Sequence, residues 1–287
     1  MLFLGTGASE LVPNPFCKCE LCQRVRRSGE IPRKRSAFLY DESICIDFGP
    51  DVLAASVQYD APFYDLKNIF ITHTHEDHLL IHNLEVMLAP YHTENQQIRL
   101  WISPKGADWI DQYRSCCASL FRGKCGIDRA IENGWLTICP VEQYQWIDCG
   151  DFRFFAFETN HQGWAVDEMT LNYVIEKNGR RLLYACDTGL YTEKILNALT
   201  GFGCDTVIME GTYGTMQMPR GVGHLDCDQF IENAQVLVQR GAALADAKFY
   251  MTHINPFQQA DHSQLQEYLS SHCELDITVA HDGLRIE

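Results

Sequence analysis

Short runs rich in apolar and β-branched residues recur along the whole chain. They predict strands over Leu2–Leu4, Ala37–Tyr40, Ile44–Asp47, Ile69–Thr72, Ile98–Ile102, Phe152–Phe157, Leu171–Glu176, Arg181–Cys186, Thr206–Glu210, Phe249–Thr252 and Ile277–Ala280. Two pairs read as hairpins. Leu171–Glu176 and Arg181–Cys186 flank Asn178–Gly179, a tight-turn signal, and Ala37–Tyr40 and Ile44–Asp47 flank Asp41–Glu42–Ser43. Segments 79–89, 105–120, 190–200, 226–240 and 262–272 carry apolar residues at three- and four-residue spacing, the period of a helix with one buried face. Strands dominate the opening of each half and helices separate the later ones. That order predicts packed sheets covered by helices, an α/β layered domain, without choosing its topology.

Composition changes this picture little. The chain has 287 residues, 46% hydrophobic and 21% charged, ordinary for a globular protein with ample core. No stretch approaches the roughly 20 apolar residues that a membrane helix needs. The amino terminus, MLFLGTGASE, has no basic segment and its apolar run breaks at Gly5, so it does not read as a signal peptide. Cytoplasmic residence is therefore expected. Thirteen cysteines, an odd number, then read as thiols or metal ligands rather than a disulfide framework. A net charge of −15 argues against a polynucleotide substrate. The one basic cluster, Arg24, Arg26, Arg27, Arg33, Lys34 and Arg35, reads as a solvated loop rather than a phosphate clamp. No linker interrupts the chain, so 1–287 is expected to form a single domain.

The candidate chemistry lies in IFITHTHEDHLL, residues 69–80. Phe70–Ile71–Thr72 reads as the end of a buried strand and Leu79 onward as a helix, which puts His73, His75, Asp77 and His78 in the connection. Loops at strand ends are where a rigid scaffold presents functional groups. Neutral imidazole suits Zn, Mn or Fe, and a carboxylate adds charge and orients water. Alternate residues of an extended segment point the same way, so His73 and His75 would face one ion; Asp77 and His78, after the turn, would face a second.

This H-x-H-x-D-H spacing resembles the hallmark of the metallo-β-lactamase superfamily. The resemblance implies an αββα four-layer sandwich and further ligands after later strands: His161 in ETNHQGW, Asp187 in LLYACDTG and His253 in FYMTHIN. It further implies that His73, His75 and His161 hold one divalent ion, that Asp77, His78 and His253 hold another, and that Asp187 bridges them. The ions would be Zn or Mn, with Fe also suited to the ligands. Two close metals lower the pKa of a shared water and neutralise charge in the transition state. No G-x-S-x-G elbow offers an alternative nucleophile, so hydrolysis by metal-bound hydroxide is the economical mechanism.

Four further stretches resemble the subfamily of the phosphoribosyl cyclic phosphate phosphodiesterase: Gly5–Thr6–Gly7, PNPFCKCELC, RVRRSGEIPRKRS and the closing HDGLRI. The resemblance implies a zinc-knuckle-like insertion at about residues 14–35, with an additional structural zinc on Cys17, Cys19 and Cys22. The subfamily completes that site with a histidine three residues after the last active-site histidine. Here that position is Pro256, which cannot ligate, and His262 is the nearest substitute. His224, in GVGHLDCDQF, occupies the place of a histidine that contacts substrate phosphate and assists the leaving group. Asp77 and His224 are thus the candidate catalytic residues, Asp226 is expected to cap a helix, and Glu210 is expected to hold a ligand histidine.

The function expected is a dinuclear-metal phosphodiesterase acting on a small phosphodiester, a cyclic nucleotide-like or sugar phosphate, without membrane contact, with homodimerisation open to it. The rivals are a tRNA 3′-processing nuclease, a thioesterase or lactonase, a pyrroloquinoline-cofactor pathway protein, and a non-catalytic metal-binding scaffold.

Overall fold

The computed structural model describes residues 1–28, 32–87, 97–121, 125–258 and 260–287. The last residues of the helical segment 79–89 and the middle of the insertion at 14–35 lie outside them. Six strands form one sheet in chain order: β1 (Leu2–Gly5), β2 (Ala37–Asp41), β3 (Ile44–Ile46), β4 (Asn68–Phe70), β5 (Ile98–Ile102) and β6 (Leu136–Pro140). A second sheet of seven follows: β7 (Trp146–Asp148), β8 (Phe152–Gln162), β9 (Met169–Lys177), β10 (Arg180–Ala185), β11 (Cys204–Glu210), β12 (Ala243–Thr252) and β13 (Ile277–Val279). Each sheet begins antiparallel and ends parallel, the change falling at β3 in the first and β10 in the second. The helices are α1 (Glu20–Ser28), α2 (Val52–Gln58), α3 (Ile81–Met87), α4 (Pro104–Phe121), α5 (Gly126–Glu132), α6 (Glu193–Leu199), α7 (Cys227–Gln239) and α8 (His262–His272).

Strand alternation sorts the apolar residues into three layers. Phe38, Ile44, Ile46 and Phe70 of the first sheet meet Phe154, Tyr173, Tyr184 and Ile208 of the second in a core between the sheets. Their neighbours Leu39, Cys45, Ile69 and Leu100 face the other way, under Val52, Leu84, Ile110 and Ile127 of α2 to α5. On the far side Phe157, Leu183, Val207 and Phe249 pack under Ile195, Phe230 and Leu265 of α6 to α8. The architecture is the αββα sandwich. Among the described residues no helix is long and apolar enough to cross a membrane.

Phe70 anchors the strand that leads into the histidine motif. Its ring lies edge-on to Phe154 at 4.8 Å and to Tyr173 at 5.2 Å, and each such pair adds about 0.5–1.5 kcal/mol beyond burial. The Asn178–Gly179 turn closes β9 and β10 as expected, with φ of 54° and 77°, the left-handed pair that a two-residue hairpin requires.

The structure revises several expectations. The edge strands β6 and β7 are largely unburied and lack the apolar contrast that marks strands. Helices α1, α2 and α5, of 9, 7 and 7 residues, are further elements beyond the periodic segments. The basic cluster is not a solvated loop. Its first half forms α1, which buries Leu21, Cys22 and Val25. Its charges tie the insertion to the body: Arg24 pairs with Asp261 at 3.3 Å, Lys34 with Asp282 at 3.6 Å and Arg35 with Asp51 at 3.1 Å. Buried Arg33 donates to Thr6 Oγ1 at 2.8 Å, and the Thr6 hydroxyl donates to Asp282 at 2.7 Å. The chain start, the basic stretch and the closing HDGLRI therefore meet. A Cβ on Gly5 would sit 1.9 Å from the Arg35 carbonyl, so that approach requires glycine.

Candidate metal centre

The motif occupies turns between Phe70 and Ile81 rather than running directly into a helix at Leu79. Without helical hydrogen bonds, it is held by buried side chains. Asp47, just past β3 with φ of 62°, accepts from both the backbone N–H and the hydroxyl of Thr72 at 2.9 Å. Its other oxygen lies 2.7 Å from His78 Nδ1. Since the Thr72 hydroxyl donates to Asp47, its lone pair faces His73 Nδ1 at 3.0 Å. Both imidazoles thereby turn Nε2 toward a common centre. Glu168 fixes the next residue: it accepts from the Thr74 N–H at 3.1 Å, from the Thr74 hydroxyl, and from Ser103 Oγ at 2.8 Å.

The distant candidates converge on the same point. His161 does not follow a strand; β8 continues through it to Gln162 after a register shift beyond Glu158, which re-aims the side chain. Asp187 and His253 follow β10 and β12 in left-handed conformation, φ 54° and 58°. His73 Nε2 lies 2.9 Å from His75 Nδ1 and 3.2 Å from Asp187 Oδ2, while His161 Nε2 lies 3.3 Å from His75 Nδ1 and 3.7 Å from that oxygen. Four donors around a zinc bound at about 2.1 Å stand about 3.4 Å apart, so this group fits a tetrahedral ion. In a second group, Asp77 Oδ2 lies 3.2 Å from His78 Nε2 and 3.5 Å from His253 Nε2, and His78 Nε2 lies 3.1 Å from Asp187 Oδ2. Asp187 Oδ2 belongs to both.

Two atoms test whether this cradle suits a metal. His78 Nε2 and His253 Nε2 are buried and make no hydrogen bond of good geometry, although carboxylate oxygens of Asp77 and Asp187 stand 3.1–3.5 Å away. Such an atom costs about 1–3 kcal/mol unless something else engages it, and a cation does. Burial opposes ionisation of Asp187, yet His253, His78 and His161 hold its carboxyl well below the usual range. Burial lowers His161 to about 4, leaving the neutral imidazole that a metal requires. Cys186 also lies near His78 and His253, and burial and Asp187 push its thiol well up.

His224 stands beside this centre, its ring 4.5 Å from that of His161. Glu210 Oε1 lies 2.8 Å from His224 Nδ1. Burial opposes protonation there, but the Glu210 carboxylate outweighs it and raises His224 to about 9. Glu210 Oε2 accepts from the Thr212 hydroxyl at 2.5 Å, and Thr212 Oγ1 lies 2.8 Å from His253 Nδ1. One buried carboxylate thus orients both histidines. Asp226 caps α7, accepting from the Gln229 N–H at 2.9 Å.

Cys17, Cys19 and Cys22 also come together, their sulfurs within 4.8 Å of one another. Backbone N–H groups of Cys19, Cys22 and Asn14 point at the three sulfurs, at 3.3, 3.5 and 3.3 Å. His262 is not with them. It opens α8, and its Nδ1 accepts from the Arg33 guanidinium at 3.2 Å, so the substitution proposed for Pro256 fails on geometry. Among the described residues no fourth ligand joins the three thiols.

The sequence marks Asp47 and Thr72 only as strand ends and marks Thr212 and Glu168 not at all. Asp47 carried a usable signal, a carboxylate at a strand end like Asp187; Glu168 carried none. Asp47→Ala is expected to weaken metal binding about 10- to 100-fold, as losses of residues that orient ligands do, read by competition with a chelator of known affinity.

A model of the β-lactamase superfamily domain matches residues 42–254, which contain every active-site candidate above. The chain belongs to this superfamily. Together with the αββα fold and the His/Asp centre, this makes it a metallo-β-lactamase-fold hydrolase. Among solved structures of the fold, it is similar to a diphosphatase from the PhnP family, with 20% identity and a TM-score of 0.71 over 100% of this chain and 96% of that one. It is also similar to zinc-bound PqqB from Methylobacterium extorquens, with 17% identity, a TM-score of 0.70, and coverage of 100% and 99%. The short form of human tRNase Z follows with 17% identity, a TM-score of 0.60, and coverage of 100% and 98%. At these identities the likeness shows the fold. No curated protein matches the sequence.

Proposed function

We propose that this metallo-β-lactamase-fold hydrolase is a dinuclear phosphodiesterase acting on a small phosphodiester. His73, His75, His161 and Asp187 hold one divalent ion, Zn or Mn or Fe, and Asp77, His78, His253 and Asp187 hold the other. The pair supplies Lewis acidity and an activated water at neutral pH.

The observation that carries the phosphodiester reading is His224. Its Nδ1 is engaged by Glu210, which leaves Nε2 free beside the ligand cluster. An imidazolium there serves a reaction in which anionic charge grows on phosphoryl oxygens and an alkoxide leaves: it stabilises the first and gives the second its proton. Glu210 holds the ring in place and balances its charge. A phosphodiester carries anionic charge on its non-bridging oxygens before attack, whereas a thioester or lactone is neutral, so a cation placed beside the metals favours phosphorus. The similarity to a PhnP-family diphosphatase is consistent with that choice. The net charge of −15 and the internal pairing of the basic cluster oppose a tRNA substrate. Cys17, Cys19 and Cys22 are proposed to hold a structural zinc whose remaining coordination comes from water or from outside the described residues.

The test is a parallel assay of cyclic and linear phosphodiesters, a thioester and a lactone on protein of measured metal content. Turnover confined to phosphodiesters is the expected result. Faster hydrolysis of the thioester or lactone sinks the proposal.

A further inference from the structure

Trp164 is 64% exposed, the most exposed tryptophan side chain to be placed against a candidate ligand. Its ring meets that of His75 edge-on, at 5.0 Å and 68°. An exposed indole is unfavourable in itself, and here the chain holds it in place. Gly163 N–H donates to the Glu168 carbonyl at 3.2 Å, and Glu168 N–H donates to the Ala165 carbonyl at 3.0 Å, closing the turn around Trp164. The Ala165 N–H donates to Thr74 Oγ1 at 2.9 Å. Beneath lies the buried Glu168 carboxylate, which also fixes Thr74 between His73 and His75. The loop that presents the indole and the loop that presents the ligands thus share one anchor.

The surrounding rings extend this placement into a rim. Trp164 lies 5.0 Å from His75, His75 lies 5.1 Å from His161, His161 lies 4.5 Å from His224, and His224 lies 5.8 Å from the half-buried Tyr213. Aromatic side chains therefore stand at both ends of the row of imidazoles, Tyr213 beside His224 and Trp164 beside His75. Phosphate and sugar oxygens find no hydrogen-bonding partner on an indole face. A flat heteroaromatic ring needs none, because stacking on an exposed indole requires only a π-face.

We infer that Trp164 is a specificity residue that stacks the base of the substrate, so that the preferred phosphodiester is nucleotide-like and carries a nucleobase, rather than a bare sugar phosphate. This rests on the phosphodiester reading. Glu168 acts through Trp164 and Thr74 as a positioning residue.

The experiment compares 2′,3′-cyclic AMP with the 2,3-cyclic phosphate of methyl riboside, the same diester without a base, on metal-loaded protein. The wild type is expected to favour the nucleotide about tenfold in kcat/KM, within the range that base stacking on an aromatic side chain provides. Trp164→Ala is expected to collapse that ratio toward one through KM rather than kcat, and Trp164→Phe to restore most of it. A second readout is independent of turnover: AMP should quench the fluorescence of wild type more than that of Trp164→Phe. Equal kcat/KM for the two diesters in the wild type, or equal quenching in the two proteins, overturns the inference. Absence of diester turnover together with Trp164-dependent quenching by AMP upholds base stacking and overturns the phosphodiester reading instead.

Discussion

Asp187→Asn is expected to lower kcat/KM on any substrate of this enzyme by about 1,000-fold or more, equivalent to about 4 kcal/mol of transition-state stabilisation. The expectation follows from where its charge sits. Asp187 Oδ2 lies 3.2 Å from His73 Nε2 and 3.1 Å from His78 Nε2, and is the atom common to both ligand groups. Its carboxyl is held well below the usual range by the imidazoles His253, His78 and His161, although burial works against it. The attraction is mutual, so removing the carboxylate leaves a buried cluster of imidazoles with less negative charge to balance cations. An amide keeps the shape and one oxygen, which separates loss of charge from loss of packing. Metal content should fall together with activity, measured on the same preparation by elemental analysis. Two ions retained with full turnover would refute the shared-ligand assignment.

That site was only partly legible in the sequence, for a physical reason. His73, His75, Asp77 and His78 are close along the chain, so their spacing alone betrayed a shared target. His161, Asp187 and His253 are far apart, but Asp187 and His253 each follow a β-rich run, and strand ends converge at one edge of a layered fold. The residues that hold these candidate ligands in place left no such trace. Glu168 reaches Thr74 across 94 positions, in a polar stretch whose composition reads as an ordinary loop. Asp47 was read as the last residue of a strand, whereas its left-handed φ of 62° turns it under Thr72 and His78. His262 was misplaced because nearness in sequence to Pro256 was its only merit; the buried Arg33 guanidinium takes its Nδ1. The layers themselves were readable, because central strands such as β5 alternate between two apolar faces. Edge strands with one bare face were not.

His224→Ala is expected to separate chemistry from metal binding. General acid catalysis by a positioned side chain contributes about 100- to 10,000-fold, and that is the loss expected in kcat, with both ions retained. The retention matters because His224 Nδ1 faces Glu210 at 2.8 Å, whereas the nearest oxygen of Asp187 is 3.7 Å away. His253, by contrast, is oriented through Thr212 and keeps that contact when His224 is removed. The loss should also depend on the leaving group. A substrate that expels p-nitrophenolate needs little protonation, so the variant should lose least there and most on an alkyl diester whose alkoxide must be protonated as it departs. Equal losses on both would assign His224 to binding the phosphoryl oxygens alone. Loss of metal along with activity would instead make it a ligand, sharing Glu210 and His253 with an ion in a third position.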